Sequence, residues 1–118
     1  MGIFGALGCV TRYLVSGWTY SLIGRALPYG TIAVNVIGSF LLGLIMESSL
    51  RSTLLSPELR IGITVGFMGG FTTFSTFSYE TVRLLEDGNY MAAGANILLN
   101  VVICVMAAAI GIYLARQL

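Results

Sequence analysis

Four long apolar stretches alternate with short polar connections along the chain. They cover about residues 1–23, 30–47, 59–85 and 90–115. A helix that crosses a bilayer needs about 20 predominantly apolar residues, and each stretch is close to that length or longer. The pattern therefore predicts an all-α membrane protein, a single four-span domain over residues 1–118, whose third helix is broken in the middle.

The third stretch is interrupted by glycines, which are followed by phenylalanines set among hydroxyl residues. Its centre, residues 66–78, has the sequence GFMGGFTTFSTFS. Because glycine weakens a helix, the backbone carbonyls near Gly69 are predicted to lose their helical partners. Inside a bilayer such groups persist only where protein, water or an ion satisfies them. We interpret this segment as a binding element within a membrane helix.

Polar and small residues recur every four positions in the second and fourth stretches. On a helix each series forms one face, which must contact protein or water. A buried amide is costly unless it is hydrogen-bonded, so the asparagines either join helices or offer their N–H groups to an anion. The two series are Thr31, Asn35, Ser39 and Gly43, and Asn96, Asn100, Cys104 and Ala108.

Composition excludes several classes of protein. The chain is 57% hydrophobic and only 9% charged, against about 25% charged in ordinary soluble domains. Its net charge of +1 and its lack of histidine argue against a nucleic-acid surface and a histidine-based site. No nucleophile has a base beside it, so an enzyme is not expected. Cys9 and Cys104 lie in apolar stretches and are expected to be buried thiols.

The basic residues at the ends of the spans are almost evenly divided between the two sides of the membrane. The positive-inside rule then gives almost no preferred orientation, and a chain that inserts both ways can form an antiparallel two-fold dimer. Four spans also do not readily enclose a hydrated pathway alone. One side would collect Arg51, Arg60 and Arg116, and the other Arg25 and Arg83.

The candidate pathway suits a small anion. The edge of a phenyl ring is its positive rim, so Phe71, Phe74 and Phe77 either pack in the core or line an anion path with neighbouring hydroxyls. Carbonyl oxygens at the glycine break would instead suit a small cation. Arg12, part-way through the first span, either marks the membrane interface or faces a vestibule. Glu80 is the carboxylate nearest to the phenylalanines.

Three blocks resemble signature segments of the bacterial Fluc (CrcB) fluoride channels, and the similarity extends over essentially the whole chain. They are residues 8–13 (GCVTRY), 30–40 (GTIAVNVIGSF) and 69–77 (GGFTTFSTF). The resemblance implies a dual-topology antiparallel homodimer in the bacterial inner membrane. It also implies two fluoride pores, a central sodium ion that is not transported, and passive export of toxic fluoride from the cytoplasm.

Matched by position, the resemblance also implies roles for individual residues. Gly69 and Thr72 match the residues whose backbone carbonyls hold the sodium ion. Arg12 matches a vestibule arginine, and Glu80 falls along the polar track. At Asn96 and Asn100 the chain departs from the Tyr and Ser of many members. The residues assigned to the fluoride pore are Phe74, Phe77, Asn35, Ser75, Thr76, Asn96 and Asn100.

Two other functions remain open at this point. A small proton-coupled multidrug exporter has similar size and topology, but it needs a carboxylate in its first span, where this chain offers Arg12. A non-transporting membrane assembly subunit would use the polar faces only to join helices.

Overall fold

The computed structural model describes residues 1–51 and 55–118, in which every regular element is a helix. The predicted all-α class is confirmed. The elements are α1 (Gly2–Ile23), α2 (Tyr29–Arg51), α3 (Pro57–Ile61), a π-helical stretch (Gly62–Phe67), α4 (Met68–Phe71), α5 (Phe74–Glu86), α6 (Tyr90–Leu98), a π-helical turn (Leu99–Ile103) and α7 (Cys104–Gln117).

Local signals set several helix ends. The Ser56 hydroxyl accepts from the Leu59 N–H at 3.1 Å, with Pro57 in the first turn of α3, so the start of the third span is capped. A turn at residues 86–89 joins α5 to α6, and Gly88 adopts the positive φ of 77° that glycine permits.

The second span is longer than predicted. Its expected end at Glu47 is wrong, because α2 continues to Arg51. Glu47 pairs with Arg51 one turn later at 3.5 Å and with Arg116 of α7 at 2.9 Å. These ion pairs make a charged last turn favourable in the helix. The rest of the predicted loop includes residues 52–54, which lie outside the described part of the chain.

Helix α2 packs most extensively along α7. Glycines allow the close approach: a Cβ on Gly43 would stand 2.5 Å from the Ala108 carbonyl oxygen, and one on Gly111 would collide with the Phe40 carbonyl. Small residues bring membrane helices into direct backbone contact, where van der Waals packing replaces the hydrophobic effect as the driving force. The polar faces of the second and fourth spans are thereby turned toward each other.

The body is elongated, with extents of 50 × 29 × 23 Å, and its length suits a bilayer about 40–45 Å thick with headgroups. Within the described residues, two helices, Tyr29–Arg51 and the continuous Tyr90–Gln117, are long and apolar enough to cross a membrane. Large apolar side chains such as Leu22, Met91 and Val105 are exposed. An apolar exterior of this kind suits contact with lipid.

Candidate functional site

The third span is broken at Thr72 and Thr73, between α4 and α5. Both residues are extended, with φ/ψ of −89°/162° and −156°/115°. The Thr73 hydroxyl oxygen caps α5 by accepting from the Thr76 N–H at 3.2 Å. Because a hydroxyl here satisfies a donor that the helix start leaves unpaired, this threonine fixes where α5 begins.

The predicted break exists, but its position at the glycines is wrong. Gly69 and Gly70 remain helical within α4. A Cβ on Gly70 would stand 2.5 Å from the Gly5 carbonyl oxygen, so this glycine permits close contact with α1. The helix ends only where Asn35 and the Thr73 hydroxyl offer backbone N–H groups other partners.

Asn35, on α2, forms hydrogen bonds with the backbone at the break. Its Oδ1 accepts from the Thr73 N–H at 2.8 Å, and its Nδ2 donates to the Thr73 carbonyl at 3.0 Å. The same Nδ2 donates to Asn100 Oδ1 at 3.0 Å. The oxygen and both N–H groups of this amide are therefore engaged by protein partners.

The backbone carbonyls of Gly69 and Thr72 both lose the donor that a continuous helix would supply. In an α-helix each carbonyl accepts from the N–H four residues later. The Thr73 N–H goes to Asn35, and the Thr76 N–H goes to the Thr73 hydroxyl. Gly69 is also exposed, with open space where a side chain would stand. Hard oxygen ligands of this kind fit a small cation.

A continuous hydrogen-bonded chain of side chains leads away from the break. Asn100 donates to the carbonyl and to Oδ1 of Asn96, each at 3.0 Å. Asn96, fully buried, donates to the Thr81 hydroxyl at 2.9 Å, which donates to the Phe77 carbonyl at 2.8 Å. Asn100 lies in the π-helical turn, a rare distortion that occurs frequently at functional sites. The chain ties α2 and the fourth span to α5.

The phenylalanines separate into two pairs. Phe74 and Phe77 have ring centroids 5.3 Å apart at 57°, whereas Phe71 stacks on Phe67 at 6.1 Å and 13°. Phe71 is buried and belongs to the core. Phe77 is 7% exposed and Phe74 is 75% exposed. Of the three predicted rings, two therefore lie together at the start of α5.

Both rings of that pair line an open cleft of about 380 Å³. Asn35, Asn100 and Thr73 also line it, so the amides and the rings share one wall. None of the described residues that line the cleft is charged. The cleft is therefore lined by aromatic rings and polar groups without a full charge that would hold an ion tightly.

A second cavity, of about 310 Å³, also adjoins the break. Arg12, Thr76 and Glu80 line it, and Thr73 lines both cavities. Within the described residues, Glu80 Oε1 is buried without a hydrogen-bond partner. Ser75 is exposed and lines neither cavity. Asn96, which is fully buried, also lines neither cavity, and the other residues assigned to the pore gather around the break.

Comparison with known proteins identifies the family. Residues 1–112 match the family model described as CrcB-like protein, Camphor Resistance (CrcB). The chain belongs to the CrcB family. The CrcB relatives include proteins from Syntrophotalea carbinolica (73% identical), Geotalea daltonii (63%) and Geobacter sulfurreducens (61%), each matched over all of this chain and at least 95% of its own length. Each of the three is named fluoride-specific ion channel FluC.

Two residues that the structure places in this CrcB site were not assigned from the sequence. Thr73 makes the backbone contacts with Asn35, and Thr81 joins Asn96 to α5. Thr81 lies one helical turn after Phe77, on the same side of α5, and this spacing was the available signal. Its pairing with Asn96 depends on how α5 folds back against α6, which local spacing does not reveal.

Proposed function

We propose that this chain is the subunit of a fluoride-specific ion channel that passively exports fluoride from the bacterial cytoplasm and so relieves its toxicity. The observation that carries the proposal is 73% identity over the whole chain to a protein of that name. Membership in a family of ion channels fits a membrane protein that is not an enzyme. We place it in the inner membrane.

The chemistry of the cleft supports an anion pathway. Fluoride is strongly hydrated, so several weak donors must replace its water together, and each must release it again for conduction. The tilted Phe74 and Phe77 rings supply positive edges. The first N–H groups of α5, at Phe74 and Ser75, lack helical acceptors and add the positive end of the helix dipole.

The open site supports an antiparallel homodimer with two pores. Phe74 is 75% exposed in the single chain, although its ring belongs to the proposed pathway. A second copy packed against the cleft would enclose this ring and complete the wall. The nearly even division of arginines between the two sides supports insertion in both orientations, and a two-fold axis would then generate two equivalent pores.

A central sodium ion is the proposed cofactor. The carbonyls of Gly69 and Thr72 would bind it, because both have lost their helical donors and Gly69 is exposed. Two chains would double the number of oxygens to meet the coordination that a hard cation requires. The bound cation would support the interface and would not be transported.

Ion efflux from proteoliposomes tests the function. Vesicles loaded with potassium fluoride or potassium chloride are opened to potassium by valinomycin, and the released halide is followed with an ion-selective electrode. We expect rapid fluoride efflux with chloride at the rate of protein-free vesicles. Fluoride retention at that same background rate would refute the proposal, and uptake of a cationic drug would favour an exporter.

Orientation is tested separately with reporter fusions at the C-terminus. Paired reporters that are active only inside or only outside the cell should both give signal, because the chain inserts both ways. A single fixed orientation would contradict the antiparallel dimer while leaving fluoride transport open.

A further inference from the structure

The amide of Asn35 is unusual for a direct anion ligand. Its Nδ2 donates to the Thr73 carbonyl and to Asn100 Oδ1, each at 3.0 Å, and its Oδ1 accepts from the Thr73 N–H at 2.8 Å. An anion could gain an N–H from this side chain only by displacing one of these acceptors. The geometry instead describes a residue whose main contact is the backbone of the break.

The Thr73 N–H has two possible acceptors. In a continuous helix it would donate to the Gly69 carbonyl, and in this structure it donates to Asn35. The two bonds exclude each other as full hydrogen bonds, since one N–H serves one strong acceptor. Because the Thr73 N–H donates to Asn35, it does not donate to the Gly69 carbonyl.

We propose that Asn35 is a positioning residue that holds the helix break open and keeps the Gly69 carbonyl free for a cation. This inference rests on the proposed function for the identity of the cation. Asn35 lies on α2, and the proposed cation ligand Gly69 lies on α4, so the residue would influence a site on another helix. Asn35 acts through Thr73 and does not touch the cation.

Neighbouring contacts support this role. Gly38, one turn along α2 from Asn35, lies against the Thr72 side chain so closely that an added Cβ would collide with Thr72 Cγ2. The axis of α2 is thereby held beside the extended residues. Asn100 accepts the second N–H of Asn35 and is itself fixed by Asn96. The amide is thus restrained at both ends, as accurate positioning requires.

Two substitutions separate positioning from direct anion binding. In its protonated form Asn35→Asp retains an oxygen that accepts the Thr73 N–H and has one O–H donor in place of the two N–H groups, whereas Asn35→Leu removes all three hydrogen bonds. We expect Asn35→Leu to let this N–H turn to Gly69, which raises the sodium concentration for half-maximal response about tenfold or more, because a competing donor weakens the carbonyl as a ligand. In Asn35→Asp this concentration should stay within about threefold of the wild type.

The response to sodium is measured without transport. Purified protein in detergent is heated across a sodium titration, with N-methylglucamine as the replacement cation, and the rise in melting temperature gives the midpoint. Ser49→Ala is the matched control on α2, because the Ser49 hydroxyl donates to the Ile45 carbonyl within the same helix. Its midpoint should equal that of the wild type.

A second measurement reports the break itself. In ¹³C-threonine-labelled protein in bilayers, the Thr73 Cα and Cβ shifts should be those of extended backbone in the wild type and in Asn35→Asp. They should move toward helical values in Asn35→Leu. The Thr73 signals are assigned by their loss in Thr73→Ser, which retains the capping hydroxyl.

The alternatives give different results. If Asn35 only binds the anion, both variants reduce fluoride efflux but leave the sodium midpoint and the Thr73 shifts unchanged, and the inference is overturned. Equal loss of the sodium response in both variants would also overturn it. If the wild type fails to transport fluoride, the proposed function fails, and the Thr73 shifts still decide whether Asn35 holds the break.

Discussion

Replacing Asn100 with leucine tests whether the asparagine chain stabilises the protein. The substitution keeps the branched shape and the number of heavy atoms but removes three hydrogen bonds: one accepted from Asn35 and two donated to Asn96. Hydrogen bonds between membrane helices average about 0.6 kcal/mol each, which gives about 2 kcal/mol for three. The Asn35 N–H and the Asn96 Oδ1 are then left without these partners, and each unsatisfied buried group costs about 1–3 kcal/mol.

The direct sum is about 4–8 kcal/mol, and because the loss of a bond and the cost of the group that it leaves unpaired overlap, we expect a loss of about 3–5 kcal/mol for Asn100→Leu. At about 4 °C per kcal/mol for a chain of this size, the melting temperature should fall by about 12–20 °C. The assay is thermal unfolding of the purified protein in detergent at fixed protein concentration. Val101→Leu is the control, because Val101 is the next residue, is half exposed and lines the same cleft.

We expect the control to melt within about 3 °C of the wild type, as surface changes usually do. If the melting temperature of Asn100→Leu is as close to that of the wild type as the melting temperature of Val101→Leu, the amide hydrogen bonds do not stabilise the protein as the structure indicates. Water would then replace them at little cost, and the reasoning about a closed hydrogen-bonded chain would be refuted.

Three further predictions follow from the rings, the helix contact and the carbonyls. Phe74→Ile and Phe77→Ile should each reduce fluoride efflux at least about tenfold, since an aliphatic side chain lacks the positive ring edge, while both variants elute from size-exclusion chromatography as the wild type does. Normal efflux in both variants would refute the pore assignment. Gly111→Leu should destabilise the fold by about 3 kcal/mol or more, because its Cβ would collide with the Phe40 carbonyl, and an unchanged melting temperature would contradict the α2 and α7 contact. Replacing all sodium with N-methylglucamine should abolish efflux, and flux that survives would count against the central ion.

Much of the fold was predictable because local chemistry determines it. The Ser56 cap and the turn at residues 86–89 carry their signals in a few adjacent residues. The interruption of the third span was also predictable, but its position was not. A glycine pair weakens a helix whether it ends that helix or packs it closely against a neighbour, and the contact of Gly70 with Gly5 decides between these outcomes.

The site was predicted as a set of residue types and not as a network. The four-residue spacing placed Asn96 and Asn100 on one face, and the structure brings that face toward α2. The direction of each amide depends on partners distant in the sequence, such as the Asn35 and Asn100 pair, which are 65 positions apart. The π-helical turn around Asn100 has no local signal, because it shifts the helical register by one residue without changing its composition.

The contacts of Asn35 have a consequence for how the protein is made. During synthesis α2 enters the membrane before Thr73 and Asn100 have left the ribosome, since both lie later in the sequence. Until they arrive, this amide has none of its final partners, and hydrocarbon would penalise it. An incomplete chain is therefore more stable with its second span near water or the insertion machinery, and the wall of the cleft forms only once the last span is inserted.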